Sequence, residues 1–272
     1  QPYYVYDIET GDLDNNGFYD DSASVSWLGG PPISSLDVYN RSGGRKWYAS
    51  PSGSFSCVEI ANFDGKAGED IVVGDLGIVR AYNGTNETSI WNSTHPGSNI
   101  YEIRFGNFTG FGSEGRIAVS DSADSLLVLD RNGNLVWSYY FPTGNDYYYS
   151  MDVDDIDNDG LDDIVVSVDD FITAGNIYAF SNGTELWKVR ISGWQTGSTY
   201  GDGAVEIEDI NGDNKKDIVV ADINGYGYVL NATTGGYASN IYASNDEAYD
   251  IEVFDNGSGY NLWNFTNPTS FS

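Results

Sequence analysis

An internal repeat constrains this 272-residue chain more than any other feature of its sequence. A loop rich in Asp, Asn and Gly recurs at intervals of 45 to 54 residues. Self-similarity at such a period is typical of solenoids and propellers, in which one repeat cannot bury its apolar surface alone. The loops start at Asp12, Asn62, Asn107, Asp155 and Asp209, with a vestige at Asp255.

Each repeat has the pattern of four short strands. An alternating segment precedes the loop, a β-branched run follows it, a third segment ends in an Asn/Gly turn, and a fourth starts at a large aromatic residue. Alternation, β-branched runs and such turns indicate strands and hairpins. We therefore predict an all-β fold, a β-propeller of about six four-stranded blades with the last incomplete, in which each fourth-strand aromatic docks against the next blade. The predicted repeats of this single domain, 1–272, are 3–50, 55–95, 100–142, 147–196, 201–244 and, in part, 248–272.

The fourth loop has the pattern of a calcium site. Four carboxylates on nine residues repel one another unless a cation lies between them, and Ca²⁺ takes oxygen ligands in such loops. An EF-hand is excluded, because Val166 stands at position twelve inside a β run where the EF-hand needs Glu. The predicted ligands are Asp155, Asp157, Asp159, Asp163 and the carbonyl of Leu161.

Loops one and five share this pattern, so we predict about three structural Ca²⁺ sites. In loop five the glycine has moved to Gly212, so Asn214 must take the left-handed position that Asn tolerates. The predicted ligands of loop one are Asp12, Asp14, Asn16, the carbonyl of Phe18, and Asp20. Those of loop five are Asp209, Asn211, Asp213, the carbonyl of Lys215, and Asp217.

Loop two has two interpretations. Asn62, Asp64 and Asp70 hold ligand positions, but Lys66 occupies position five, where its ammonium could replace the ion. Loop three and the vestige at Asp255 lack the aligned acids, and we predict that neither binds metal.

The motif of loop four and the run after it resemble a known group of repeats. Asp-x-Asp-x-Asp-Gly-x-x-Asp followed by Asp-Ile-Val-Val is similar to the FG-GAP and VCBS-type repeats of integrin-α-like calcium-binding propellers. The segments at 128–137 and 179–187 also resemble PQQ-type propeller repeats. The resemblance covers nearly the whole chain and implies calcium between the first and second strands of a blade. It implies little about the biochemical role, because this fold hosts adhesion modules, lectins and enzymes.

Charge and composition exclude several classes of binding partner and metal site. The chain has 41 acidic and 12 basic residues, a formal net charge of −29, which disfavours nucleic acid and anionic membranes. With one cysteine and one histidine, disulfides within the chain and His- or Cys-based metal clusters are excluded, and no apolar run approaches the length of a membrane span.

Nine N-x-S/T sequons predict N-glycosylation on exposed turns of an extracellular or cell-surface protein, although several fall in a turn where Asn is favoured anyway. The sequons are Asn40, Asn83, Asn86, Asn92, Asn107, Asn182, Asn231, Asn256 and Asn264.

The sequence therefore predicts a non-enzymatic, calcium-stabilised extracellular module for surface structure, adhesion or self-assembly. Its expected partner is another protein or a second copy, by strand addition to the incomplete last blade. The alternative is a carbohydrate-binding, lectin-like propeller, including one within a larger secreted polysaccharide-active enzyme. Acids repeated along the first strands could also suggest glycoside hydrolysis, but in so acidic a chain some pair always has suitable spacing.

Overall fold

A computed structural model of the chain confirms the all-β prediction. It describes residues 4–27, 34–50, 54–108, 115–123, 125–142, 149–169, 174–192, 205–221, 226–242, 250–255 and 261–266. These residues form twenty strands in antiparallel sheets, with no helix among them, so none that could cross a membrane. The contacts within the chain divide it into two compact units, residues 1–107 with 111–141, and residues 108–110 with 142–272.

The first unit begins with a four-stranded sheet in sequence order. Its strands are β1 (Tyr4–Gly11), β2 (Asp21–Trp27), β3 (Ser34–Tyr39) and β4 (Arg45–Ala49). The remaining strands form a six-stranded sheet in the order β10-β9-β8-β7-β6-β5. They are β5 (Cys57–Ala61), β6 (Asp70–Asn83), β7 (Ser89–Gly106), β8 (Arg116–Asp121), β9 (Ser125–Leu129) and β10 (Leu135–Tyr140).

The long strand β6 contains the second and third strands of the second repeat. The Arg80 guanidinium lies 2.9 Å from the Asp75 carboxylate, whereas five residues of extended strand would separate their Cα atoms by roughly 16 Å. The chain therefore turns sharply between them, at Gly77, whose φ is +66°. Since β7 likewise pairs first with β6 and then with β8, the four-strand pattern of both repeats is preserved inside one continuous sheet.

The second unit contains two four-stranded sheets and one two-stranded sheet. The first has β11 (Tyr149–Asp154), β12 (Asp163–Asp169), β13 (Ala174–Ser181) and β14 (Thr184–Ser192). The second has β15 (Val205–Glu208), β16 (Asp217–Ala221), β17 (Tyr226–Asn231) and β18 (Tyr237–Tyr242). The last described pair is β19 (Asp250–Asp255) and β20 (Asn261–Thr266).

Apolar side chains of adjacent repeats form shared cores. In the second unit, Val165 and Ile177 of one sheet pack with Ile218 and Leu230 of the next, and all four are at most 3% exposed. Two further clusters in the first unit likewise combine residues of consecutive repeats. Each sheet therefore buries a face against its neighbour, which a single sheet could not do.

Three fourth-strand tryptophans dock as the sequence predicts. Each indole packs against the following repeat and donates its Nε1–H to a backbone carbonyl in the third-to-fourth-strand turn of that repeat. This bond satisfies the indole donor at the edge of the core. The pairs are Trp47 with Gly84 at 3.1 Å, Trp91 with Arg131 at 2.8 Å, and Trp187 with Ala232 at 2.8 Å. The equivalent prediction for Tyr237 concerns a side chain outside the described residues.

We predict that Gly133→Ala lowers the free energy of unfolding more than Gly43→Ala. Both glycines close the same type of turn with φ near +77°, so both substitutions carry a left-handed backbone cost of about 1–2 kcal/mol. A Cβ at Gly133 would lie 2.6 Å from the Trp91 ring, whereas at Gly43 it meets nothing within 4 Å. Overpacking should add about 1–3 kcal/mol for Gly133→Ala.

Urea unfolding of the two variants measures this difference directly. Equal losses of stability in Gly133→Ala and Gly43→Ala would show that the Trp91 indole does not restrict the space at Gly133.

Candidate metal centre

The candidate ion loops join the first strand of a repeat to the second, and an acid starts the second strand. Strand register places this acid opposite the residue that precedes the loop. In the third repeat the same position holds a cation, Arg116, opposite Gly106. The four acids are at most 6% exposed; they are Asp21 opposite Gly11, Asp70 opposite Ala61, Asp163 opposite Asp154, and Asp217 opposite Glu208.

Loop four brings three predicted ligands together. Carboxylate oxygens of Asp155, Asp157 and Asp159 lie within 4.8 Å of one another. The Asp155 carboxylate accepts hydrogen bonds from the backbone N–H groups of Asp159, at 3.1 Å, and Gly160, at 2.9 Å. Asn158 and Gly160 take positive φ, which wraps the loop around its acids.

The fourth acid of loop four, Asp163, is fully buried. Its Oδ2 accepts the Ile156 N–H at 3.1 Å, whereas its Oδ1 has no hydrogen-bond partner among the described residues. Burial raises the pKa of Asp163 to about 6, the nearby Ser181 hydroxyl opposes this shift, and the carboxylates of Asp157 and Asp159 add to it. A buried carboxylate oxygen beside two like charges fits a loop that is completed by a cation.

Loop five has the same backbone with its glycine moved, as predicted. Gly212 and Asn214 take φ of +75° and +64°, and the Asp209 carboxylate accepts both of their N–H groups. Burial raises the pKa of Asp217, and the carboxylates of Asp213 and Asp209 add to this shift. The cost of burying the Asp217 carboxylate is partly offset, because the Asn211 side-chain amide donates a hydrogen bond to it at 3.0 Å.

In loop two the ammonium of Lys66 pairs with the carboxylate of Asp64. The Asn62 amide donates to the carbonyl of Lys66 at 2.7 Å and so turns its nitrogen into the loop. Asp70 is 2% exposed, and its Oδ2 has no hydrogen-bond partner among the described residues. Burial raises the pKa of Asp70 to about 7, the Asp64 carboxylate adds to this shift, and Lys66 opposes it.

Loop one differs from the sequence-based assignment by one residue. Asp21, and not the predicted Asp20, begins β2 and occupies the buried position that Asp163 holds in loop four. The loop is one residue longer, and carboxylate oxygens of Asp14, Asp20 and Asp21 lie within 4.8 Å of one another. The Asp12 carboxylate accepts the N–H groups of Asn16 and Gly17, both at 2.8 Å.

A lysine that the loop sequences do not contain also reaches loop one. Lys46 extends from β4, and its Nζ lies 2.9 Å from Asp21 Oδ2 and 3.8 Å from Asp14 Oδ2. Sequence reasoning missed this contact because Lys46 follows Asp21 by 25 residues. The strand order would have indicated this contact, since β2, which begins with Asp21, and β4, which carries Lys46, flank β3 in one sheet.

Hydrogen bonds and an ion pair connect two pairs of consecutive repeats at their loops. The Asp12 N–H donates to Glu69 Oε2 at 2.6 Å, and the Glu69 N–H donates to the carbonyl of Asp12 at 3.1 Å, which joins loops one and two. In the second unit, Lys216 of loop five pairs with Asp154 at 2.6 Å, directly before loop four. Loop one and the residue before loop four are therefore each bonded to the loop of the next repeat.

Acids along the first strands link neighbouring sheets. In β1, Asp7 Oδ2 accepts the Val58 N–H of β5 at 2.8 Å, and in β11, Asp152 Oδ2 accepts the Ile207 N–H of β15 at 2.7 Å. Within the six-stranded sheet, Glu59 of the second repeat accepts the Phe105 N–H of the third repeat at 3.2 Å. These hydrogen bonds give the repeated acids a role between consecutive repeats.

The remaining predicted sites are only partly described. Most of loop three and residues 256–260, including Asn256, lie outside the described residues, as does the side chain of Asn264. Among the sequons, Asn40, Asn86, Asn92 and Asn182 are exposed, and Asn83, Asn107 and Asn231 are half-buried. The carboxamides of Asn40, Asn83 and Asn231 accept hydrogen bonds within their own turns, which supports a structural reason for Asn at these positions.

Comparison with solved structures identifies the fold as β-propeller-like. The chain is similar to Sqt1 of Saccharomyces cerevisiae with a TM-score of 0.68 and 12% sequence identity, covering 92% of this chain and 64% of Sqt1. It is also similar to BBS1N, solved in complex with ARL6DN, with a TM-score of 0.63 and 15% identity, covering 93% of this chain and 72% of that chain. At these identities the similarity shows the fold alone, and the number of blades stays a prediction.

No protein-family model and no curated protein matches the sequence. The FG-GAP/VCBS resemblance therefore stays an interpretation of the motifs.

We predict that Asp70→Asn removes a pH-dependent part of the stability. The pKa of Asp70 is about 7 in the folded chain, against 3.8 as the ordinary value, so the folded state holds the extra proton between these values. The contribution of Asp70 to stability is therefore favourable near pH 4 and is lost as the pH rises through 7.

Unfolding curves recorded from pH 4 to pH 8 should be flatter for Asp70→Asn than for the wild type, and the variant should be more stable at pH 8. Glu87→Gln, in an exposed turn, is the control. Parallel curves for Asp70→Asn and the wild type would contradict the prediction.

Proposed function

We propose that this chain is a non-enzymatic, extracellular, calcium-stabilised β-propeller module for surface structure, adhesion or self-assembly. The observation that carries the calcium part is the fully buried Asp163 carboxylate beside the clustered acids of loop four, whose Oδ1 has no hydrogen-bond partner in the part of the chain that the structure describes. Burying an ionised carboxylate without a partner is costly, so a cation at this place would stabilise the folded state.

In loop four the side chains of Asp155, Asp157, Asp159 and Asp163, with the carbonyl of Leu161, would hold the ion. All of these ligands are oxygens, which Ca²⁺ prefers over the nitrogen and sulfur ligands that zinc takes. Loop five offers a second site through Asp209, Asn211, Asp213, the Lys215 carbonyl and Asp217. The role is structural, because the ion would fasten the start of the second strand to the end of the first.

Surface chemistry supports an extracellular setting. A net charge of −29 suits a medium with abundant cations, which screen the repulsion between copies of the chain. The exposed Asn86 and Asn92 stand in sequons where an attached glycan would meet solvent. Glycosylation at these positions is part of the proposal.

A protein partner is the second part of the proposal. BBS1N, which shares the fold, is solved in complex with the protein ARL6DN. In the described residues β19 and β20 form a sheet of two strands, whereas complete repeats have four. Among the described residues the outer edge of β20 has no partner strand, and in this proposal a strand of another chain pairs there.

We predict that calcium raises the melting temperature and that Asp157→Ala abolishes most of this effect. A ligand that binds only the folded state adds about 2.7 kcal/mol at a hundredfold excess over Kd, which corresponds to several degrees for a chain of this size. Thermal melts with excess EDTA and with millimolar Ca²⁺ measure the shift.

Asp162→Asn is the matched control, because it removes a charge from the same loop at a position that is not a predicted ligand. Identical melting temperatures of the wild type with EDTA and with Ca²⁺ would contradict the calcium proposal.

We also predict that the isolated chain self-associates as its concentration rises. Sedimentation velocity over a hundredfold range of concentration should reveal a dimer if β20 accepts a strand from a second copy. A monomer at all concentrations would remove support for self-assembly through this edge.

A further inference from the structure

The ammonium of Lys46 lies where loop one would hold an ion. Its two carboxylate contacts, 2.9 Å to Asp21 and 3.8 Å to Asp14, connect two members of the acidic cluster of that loop. The Lys46 side chain is 20% exposed and that of Asp21 is 1% exposed, so this contact is screened from solvent. A charge-assisted hydrogen bond of this kind is stronger than one on an open surface.

Loop two contains a cation of its own in Lys66, which pairs with Asp64. The two lysines arrive by different routes, Lys66 from within its loop and Lys46 from a strand two positions across the sheet. The Lys66 side chain is 77% exposed, so its ion pair with Asp64 is more screened by solvent and weaker than that of Lys46 with Asp21. Both ammonium groups nevertheless meet carboxylates at predicted ligand positions of their loops.

In the described part of the chain, loop four has no lysine or arginine in such a position. None of the described lysines and arginines forms an ion pair with Asp155, Asp157, Asp159 or Asp163. The nearby Lys216 pairs instead with Asp154, outside the loop. The unpartnered Oδ1 of Asp163 is the result.

We propose that Lys46 and Lys66 act as built-in cations in loops one and two, and that these two lysines determine which loops take Ca²⁺. Binding is then confined to loops four and five, both in the second unit. The assignment of Ca²⁺ to those loops rests on the proposed function above, whereas the role of the lysines rests on the contacts of loops one and two.

A tethered ammonium competes well with a dissolved ion. Lys46 is held on β4, so its effective concentration at Asp21 stays high whatever the medium contains. Displacing it would leave an ammonium 20% exposed without its buried partner, a cost that calcium binding to loop four does not carry. The first unit would therefore keep its stability when calcium is removed.

Lys46→Met tests this proposal, with Arg41→Met as the matched control. Arg41 is 77% exposed and lies 3.8 Å from Asp20, so its loss removes one positive charge near loop one and leaves the Lys46 contact in place. Calcium titration by calorimetry gives the number of ions bound per chain, and thermal melts with EDTA and with Ca²⁺ give a second measurement.

We expect Lys46→Met to bind one Ca²⁺ more than the wild type, to melt at a lower temperature in EDTA, and to recover in Ca²⁺. Arg41→Met should bind the same number of ions as the wild type. Lys46→Met combined with Asp21→Asn should fold in EDTA and bind no additional ion, which separates loss of the ion site from loss of the fold.

An unchanged number of ions in Lys46→Met, with no recovery in Ca²⁺, would overturn the role of Lys46 while leaving calcium in loop four intact. Binding by Lys46→Met but not by the wild type would support the role of Lys46 and overturn calcium in loops four and five. No binding by either protein would overturn both. Failure of Lys46→Met to fold even in Ca²⁺, while the double variant folds, would also overturn the inference.

Discussion

The buried acid at the start of the second strand is the constraint on which the loops depend. Its position is fixed by strand register, since in repeats one, two, four and five it lies opposite the last residue of the first strand. Burial makes its negative charge costly, and the surroundings of the acid differ from repeat to repeat. Asp21 pairs with a lysine from another strand, Asp217 accepts a hydrogen bond from an amide of its own loop, and Asp163 keeps one oxygen without a partner among the described residues. Small sequence differences around one fixed acid thus give loops with different chemistry.

Features encoded within one repeat could be predicted from the sequence. The strands follow from alternation and turn residues, and the left-handed Asn214 follows from the shifted glycine of its loop. The assignment of Asp20 missed the buried position by one residue, because counting along the loop cannot detect an added residue before the strand. The contact of Lys46 with Asp21 requires the order of strands in the sheet, which spacing along the chain does not give.

Contacts between different repeats also could not be predicted from the pattern of a single repeat. The hydrogen bonds from Val58 to Asp7 and from Ile207 to Asp152 join different repeats, so no single repeat predicts them. Three of the acids repeated along the first strands, Asp7, Glu59 and Asp152, accept backbone hydrogen bonds from the next repeat. The second and third repeats, which the sequence shows as separate units, share one continuous sheet because β7 pairs with β6 and then with β8.

The tryptophan contacts have a consequence for how such a chain can diverge. Trp91 packs on Gly133, and Trp187 packs on Gly235, so each ring and the glycine that admits it lie in different repeats. A larger residue in the turn is tolerated only if the ring of the preceding repeat becomes smaller. Substitutions at these positions should therefore covary between neighbouring repeats. A repeat that is duplicated or exchanged carries its own tryptophan and its own turn glycine, whose contact partners lie in the repeats after and before it. Such a repeat therefore packs well only where the preceding repeat has a tryptophan that fits its glycine and the following repeat has a glycine that fits its tryptophan.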